Sequence, residues 1–195
     1  MALVSSDPLP LGTAAPPFTL PIANEDVDGR TGDLRSLTEY ADARALLVVF
    51  TCNHCPYAIE VEDRLIALAR EHQPHGLQVV AISSNDAEAY PADSFENMAR
   101  RADEKDFPFP YLYDRSQEVA RAYHAACTPD FFLFDADRHL VYAGRMDDGR
   151  PNRPSREGQP PRTRELADAV AQVLAGEPVT VEQVPSMGCS IKWAP

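Results

Sequence analysis

Apolar and polar positions along the chain follow two different periods. Residues 45–50, Ala-Leu-Leu-Val-Val-Phe, are apolar without a break, and 77–83, Leu-Gln-Val-Val-Ala-Ile-Ser, nearly so. Runs this short and this rich in Val predict strands buried on both faces. Between them the period changes. From Pro56 onward Ala58, Val61, Leu65, Leu68 and Ala69 recur at helical spacings, with Glu60, Glu62, Asp63 and Arg64 between them. That is the stripe of a helix with one buried face, and Pro74 and Gly76 stop it.

The flanking segments are shorter. Phe18–Ile22 predicts a first strand, Asp28-Gly29 the turn of a hairpin within the polar stretch 23–36, and Ser36–Ala41 a short helical turn. Residues 93–105 predict a helix capped by Asp93 or Ser94, with Lys105 near its negative end. Residues 109–114 predict a short edge strand, and 116–125 a small helix. Residues 130–135 and 139–145 predict two strands joined by a tight turn. A polar loop rich in Pro, Arg and Gly over 147–162 precedes an amphipathic helix over 163–175, which Gly176 ends. Residues 1–17 read as an extended Pro- and Ala-rich arm. Residues 177–195 read as a flexible tail anchored by Ile191 and Trp193. Strands alternating with helices, then a hairpin and a last helix, predict one α/β domain over 1–195 with a mixed central sheet flanked by helices.

Composition narrows the function. Eighteen basic against 30 acidic side chains leave a net charge of −12, which disfavours nucleic acid and anionic membrane surfaces as partners. No apolar run approaches the about 20 residues of a membrane span. The N-terminus has neither the basic start nor the long apolar core of a signal peptide, so a cytoplasmic location is expected. The cysteines are Cys52, Cys55, Cys127 and Cys189. In a reducing compartment they are not expected to form a structural disulfide framework, and a close pair reads as catalytic or metal-binding.

That pair sits where the first buried strand feeds the helix, in Thr51-Cys52-Asn53-His54-Cys55-Pro56. Unpaired N–H groups and a partial positive charge at a helix N-terminus stabilise a thiolate. On a first helical turn, two sulfurs three positions apart can face one another and form or break a disulfide with little backbone movement. Cys52, the more exposed, is expected to attack, and Cys55, deeper in the helix, to resolve the mixed disulfide. His54 is expected to stabilise the thiolate and relay a proton. A metal site built from the four cysteines, with His54 as a substitute ligand, is the competing reading. Against it, Cys127 and Cys189 do not form the second close pair usual in zinc sites.

The segments Gly12–Leu20, Val48–Ala58, Val79–Asp86, Cys127–Asp135, Leu140–Asp148 and Pro185–Trp193 carry a resemblance over nearly the whole chain. The chain resembles the thioredoxin-like superfamily, in its branch of peroxiredoxins and alkyl hydroperoxide reductases, and within that a peroxiredoxin-like subgroup with a Cys-x-x-Cys centre. The resemblance implies a thioredoxin-like fold with the cysteine pair at one end of the sheet. It implies a cis Thr128–Pro129 bond opposite the cysteines, leaving the Thr128 backbone free to pair with an extended substrate. It implies a thiol–disulfide oxidoreductase or, alternatively, a thiol peroxidase. The substrate would be a protein or small-molecule disulfide or a hydroperoxide, and a thiol reductant would be the electron donor, with no cofactor. A thioredoxin-fold copper chaperone is the alternative of another class, although such pairs have three residues between the cysteines.

The sequence also departs from these relatives. The peroxidase motif Pro-x-x-x-Thr-x-x-Cys fits neither cysteine: set on Cys55 it meets Cys52 and Val48, and set on Cys52 it meets Val49 and Ala45. The acidic residue thioredoxin carries six positions before its first cysteine is Leu46 here, so Glu60 or Asp63 is the candidate replacement base. Cys127 reads first as a buried residue beside the pair. Cys189 reads either as a thiol swinging in on the tail or as one held inert by Trp193.

Overall fold

The computed structural model describes residues 3–24, 32–149 and 160–195. Three short strands come first: β1 (Leu3–Ser5), β2 (Thr19–Pro21) and β3 (Leu34–Ser36), followed by a 3-10 turn at Leu37–Tyr40. Strand β4 (Ala45–Phe50) runs through residues 51–55 into helix α1 (Pro56–His72), and β5 (Leu77–Ser83) follows. A 3-10 turn at Pro91–Asp93 precedes α2 (Phe95–Lys105), β6 (Tyr111–Tyr113) and α3 (Glu118–Ala122). The chain continues through β7 (Cys127–Thr128), β8 (Asp130–Phe134), β9 (Leu140–Gly144), α4 (Glu165–Ala175) and β10 (Met187–Ser190).

The main sheet has the order β6-β5-β4-β8-β9. Strands β4, β5 and β6 run parallel, whereas β8 is antiparallel to β4 and to β9. This is the mixed sheet expected from the helical crossovers and the hairpin. Every residue of β4 is buried, because helices and loops cover both faces and successive side chains point to opposite sides. Leu47 and Val49 pack with α1, α2 and α4 on one face. Leu46, Val48 and Phe50 pack on the other with Phe18, Tyr123 and Phe132. The arrangement is the thioredoxin-like architecture. Among the described residues, no helix is long and apolar enough to cross a membrane.

Several local expectations are corrected. Ser94, not Asp93, caps α2, its hydroxyl accepting from the Asn97 N–H. The helix expected over 116–125 is confined to Glu118–Ala122. Gln117 before it and His124 after it both take left-handed backbone, and the Asp114 carboxylate accepts the Ala120 N–H. The hairpin expected across the polar stretch 23–36 is present as the antiparallel pair of β2 and β3. The Asp28-Gly29 turn and residues 150–159 of the Arg-rich loop lie outside the described residues.

The two terminal segments depart most from expectation. Part of the arm forms β1 and part of the tail forms β10, and with β7 they make a second sheet of order β1-β10-β7. Ile191 is buried, its N–H donating to the Ala126 carbonyl at 3.1 Å. The Arg121 guanidinium lies 4.4 Å over the Trp193 ring. Such anchoring does not leave the tail a swinging segment.

Candidate active site

Strand β4 ends at Phe50, but Thr51 still donates to the Ile82 carbonyl at 2.9 Å, so the loop leaves the sheet only at Cys52. Pro56 then opens α1, its missing N–H costing nothing at a first helical position. Cys55 is therefore the N-cap, in extended backbone at φ −77° and ψ 122°, and Cys52 lies on the preceding loop. The two cysteines do not share a helical turn as expected. The strand–helix corner brings them together instead: Cys52 and Cys55 pack with Ala58 and Cys189 in one small cluster.

Residue 128 meets both thiols. The Thr128–Pro129 peptide is cis, as expected. The Thr128 hydroxyl lies 3.3 Å from Cys52 Sγ, and the Thr128 carbonyl accepts from the Cys55 thiol at 3.1 Å. Both cysteines are buried and reduced, with Cys52 slightly the more open at 4% exposure against 0% for Cys55. They titrate as a unit. A hydrogen bond from the Cys52 thiol lowers the Cys55 pKa against the opposing effect of burial. The same bond, burial and the Asp93 carboxylate raise Cys52. A reduced pair of this kind sheds its first proton easily and holds its second, and the helix terminus favours the charge on Cys55.

His54 lies between them in sequence, and its partner was not foreseen. Its Nδ1 is 2.6 Å from Asp93 Oδ2. A carboxylate can only accept, so Nδ1 carries the hydrogen and Nε2 holds the lone pair. That Nε2 is buried without a hydrogen-bond partner. The imidazole stacks on Tyr90 with centroids 5.5 Å apart and planes 7° from parallel. Asp93 is fully buried and is held by the Asn53 N–H at 2.8 Å and the Asn85 side-chain amide at 2.8 Å. Freed from capping α2, Asp93 thus orients the histidine beside the first cysteine. No local pattern marked it, since an acidic residue just before a capping serine looks like one more helix-start signal.

The candidate bases named from sequence point elsewhere. Glu60 pairs with Arg64, and Asp63 pairs with Lys105 at 2.9 Å. Cys127 directs its thiol at the Pro129 carbonyl, 3.7 Å away, and burial pushes it well up. The four cysteines do not form a ligand cage. Among the described residues, the group whose donor atoms all lie within 4.8 Å of one another is Cys52, His54 and Asp93. A cation there would compete with three hydrogen bonds already made to Asp93.

The backbone edge of Thr128, expected to be free for an extended substrate, is taken. Strand β10 pairs antiparallel with β7, setting Cys189 opposite Thr128 and Ser190 opposite Cys127. The tail is also tied to the histidine's support: the Lys192 N–H donates to Asn85 Oδ1 at 2.8 Å, and Asn85 holds Asp93.

Comparison with known proteins places this geometry. Residues 11–143 match the AhpC/TSA family. An uncharacterized conserved protein from Geobacillus kaustophilus is 47% identical with a TM-score of 0.90, over 100% of this chain and 98% of its own. A hypothetical protein from Sinorhizobium meliloti 1021 is 44% identical with a TM-score of 0.88, over 97% of this chain and 98% of its own. The peroxidoxin BcpB from Mycobacterium tuberculosis shares the fold at 19% identity and a TM-score of 0.56, over 85% of this chain and 94% of its own. No curated protein matches the chain.

Proposed function

The chain belongs to the AhpC/TSA family of thiol-based redox proteins, and on that premise we propose that it is a thiol–disulfide oxidoreductase cycling between a Cys52–Cys55 dithiol and disulfide. The observation that carries this reading is the meeting of both thiols with each other and with Thr128. The proton of Cys52 passes to Cys55 across their shared hydrogen bond, and the Cys52 thiolate attacks a substrate disulfide. One substrate thiolate leaves and takes a proton delivered through His54, whose Nε2 lone pair first accepts it from solvent while Asp93 holds the ring in place. Cys55 then attacks Cys52 Sγ, and its proton passes to the second substrate sulfur as that sulfur's bond to Cys52 breaks. The second substrate thiol departs, and a Cys52–Cys55 disulfide remains for an external thiol reductant to open.

A specific observation favours a second reading alongside it. With the Thr128 edge covered by β10, an oxidant that needs no strand pairing reaches Cys52 more easily than a folded protein does. A hydroperoxide meets that requirement: Cys52 would become a sulfenic acid with release of water or alcohol, and Cys55 would condense with it to the same disulfide. The missing peroxidase motif argues for the first reading.

The Cys55→Ala variant separates them. Under the first reading, it accumulates a mixed disulfide at Cys52 with a small disulfide such as oxidised glutathione, while the reduced wild type consumes hydrogen peroxide no faster than a free thiolate does. Rapid peroxide consumption with no mixed disulfide would overturn it in favour of the second.

A further inference from the structure

The redox cycle proposed above uses two thiols, and the site holds a third. Cys189 packs against Cys52, Cys55 and Ala58 and is 4% exposed, so it faces the pair rather than solvent. Its placement is built by the backbone. Strand β10 is the middle strand of its sheet, with Leu3 opposite Cys189 on one side and Thr128 opposite it on the other. Gly188 allows that approach: a Cβ there would stand 2.0 Å from the Thr128 carbonyl oxygen. Beyond β10, Ile191 and Lys192 bond to Ala126 and Asn85. An extended segment paired with the residue before Pro129, carrying a cysteine to the thiol pair, is what a docked disulfide substrate would look like.

We propose that β10 is an internal substrate strand, and that the disulfide formed between Cys52 and Cys55 passes on to Cys55 and Cys189. This rests on the Cys52–Cys55 cycle of the preceding section. The Cys189 thiolate attacks Cys55 Sγ, the Cys55–Cys189 bond forms, the Cys52–Cys55 bond breaks, and Cys52 leaves as a thiolate. The proton lost by Cys189 ends on Cys52, beside the Thr128 hydroxyl. One S–S bond replaces another, with no net oxidation and no further reactant. Cys55 is the sulfur common to both bonds, and it touches both partners. In the reduced protein, burial and then contact with Cys55 hold the Cys189 thiol up at about 12. Once Cys55 is in a disulfide it carries no charge, and that contact no longer opposes ionisation of Cys189. The product keeps a free Cys52 thiol and ties the tail covalently over the Thr128 edge.

The test is a time course of the full-length reduced protein mixed with diamide. Samples are quenched in acid, alkylated and digested with trypsin without reduction. A Cys52–Cys55 bond stays within one tryptic peptide, whereas a Cys55–Cys189 bond joins two, and fragmentation locates the link. The expected result is an early Cys52–Cys55 species that declines as a Cys55–Cys189 species grows, and a Cys52→Ser variant that forms Cys55–Cys189 directly. If Cys52–Cys55 forms and Cys189 stays alkylated throughout, the relay is overturned and the two-cysteine cycle stands. If neither bond forms, both are overturned.

Discussion

Asp130, the residue after Pro129, is 1% exposed. The Ser6 hydroxyl donates to its Oδ2 at 2.7 Å, and its Oδ1 has no hydrogen-bond partner. Burial outweighs these bonds and raises the carboxyl from 3.8 to about 6. A group whose folded pKa is raised contributes stability that is fully present below its unfolded pKa and is lost as pH climbs through the folded one. Each pKa unit is worth ~1.4 kcal/mol, so ionising Asp130 removes ~3 kcal/mol in all, most of it between pH 4 and pH 6. Asp130→Asn cannot ionise. Its amide adds a penalty for an unsatisfied buried N–H, which does not change with pH. The stability of the variant relative to the wild type should therefore rise by about 2 kcal/mol between pH 4 and pH 7, with other titrating groups cancelling in the difference. Urea unfolding of both proteins under reducing conditions at several pH values measures it. A difference that stays flat, or that falls with rising pH, would refute a buried, pKa-raised Asp130.

Two further outcomes concern the site and one the turn between β8 and β9. Asp93→Asn removes a negative charge that raises Cys52 and turns an amide N–H toward the His54 Nδ1 hydrogen. Iodoacetamide should alkylate reduced Cys52 several-fold faster at pH 7, for a fall of up to about one pKa unit, while turnover slows; unchanged alkylation would remove Asp93 from the electrostatics of the pair. Gly188→Ala places a methyl group against the Thr128 carbonyl and should lift β10 at a cost of about 1–3 kcal/mol. Cys189 in the folded variant should then react with a bulky maleimide, and persistent protection would show that β10 accommodates the methyl group. The Arg138 guanidinium donates to the carbonyls of Tyr40, Ala41 and Ala43. Arg138→Ala should cost about 2–3 kcal/mol in denaturant unfolding, with Cys52 alkylation unaffected.

What the sequence revealed, and what it hid, follow from the range of the forces involved. Strands β4 and β5 and helix α1 were legible because each carries its own period, and burial on both sides of a sheet needs only a short apolar run. The cysteine pair, Thr128 and Pro129 were legible as motifs. Strands β1, β7 and β10 were not, because segments of two to four residues become strands only through partners far away in the chain. The Thr128 edge was expected to be open for the same reason: nothing in residues 177–195 taken alone says that Gly188 fits against it. Asp93 was read as one of two candidate caps, with Ser94, because capping and orienting a histidine call for the same carboxylate. Its choice is decided by Asn53, His54 and Asn85, which come from two other segments.

The strand that closes over the thiol pair follows every other strand of the described residues in chain order. On a ribosome, β4, α1, β7 and β8 emerge and can pack before Met187–Ser190 is available, so the nascent protein passes through a stage with the Thr128 edge uncovered and Cys52 and Cys55 open to encounter. Strand β10 then joins Leu3 near the start of the chain to Thr128, a pairing of very large sequence separation that forms late. Pairing of β10 thus shuts a site whose other parts precede it in the chain, and a change that weakens β10 would bear directly on how completely it shuts.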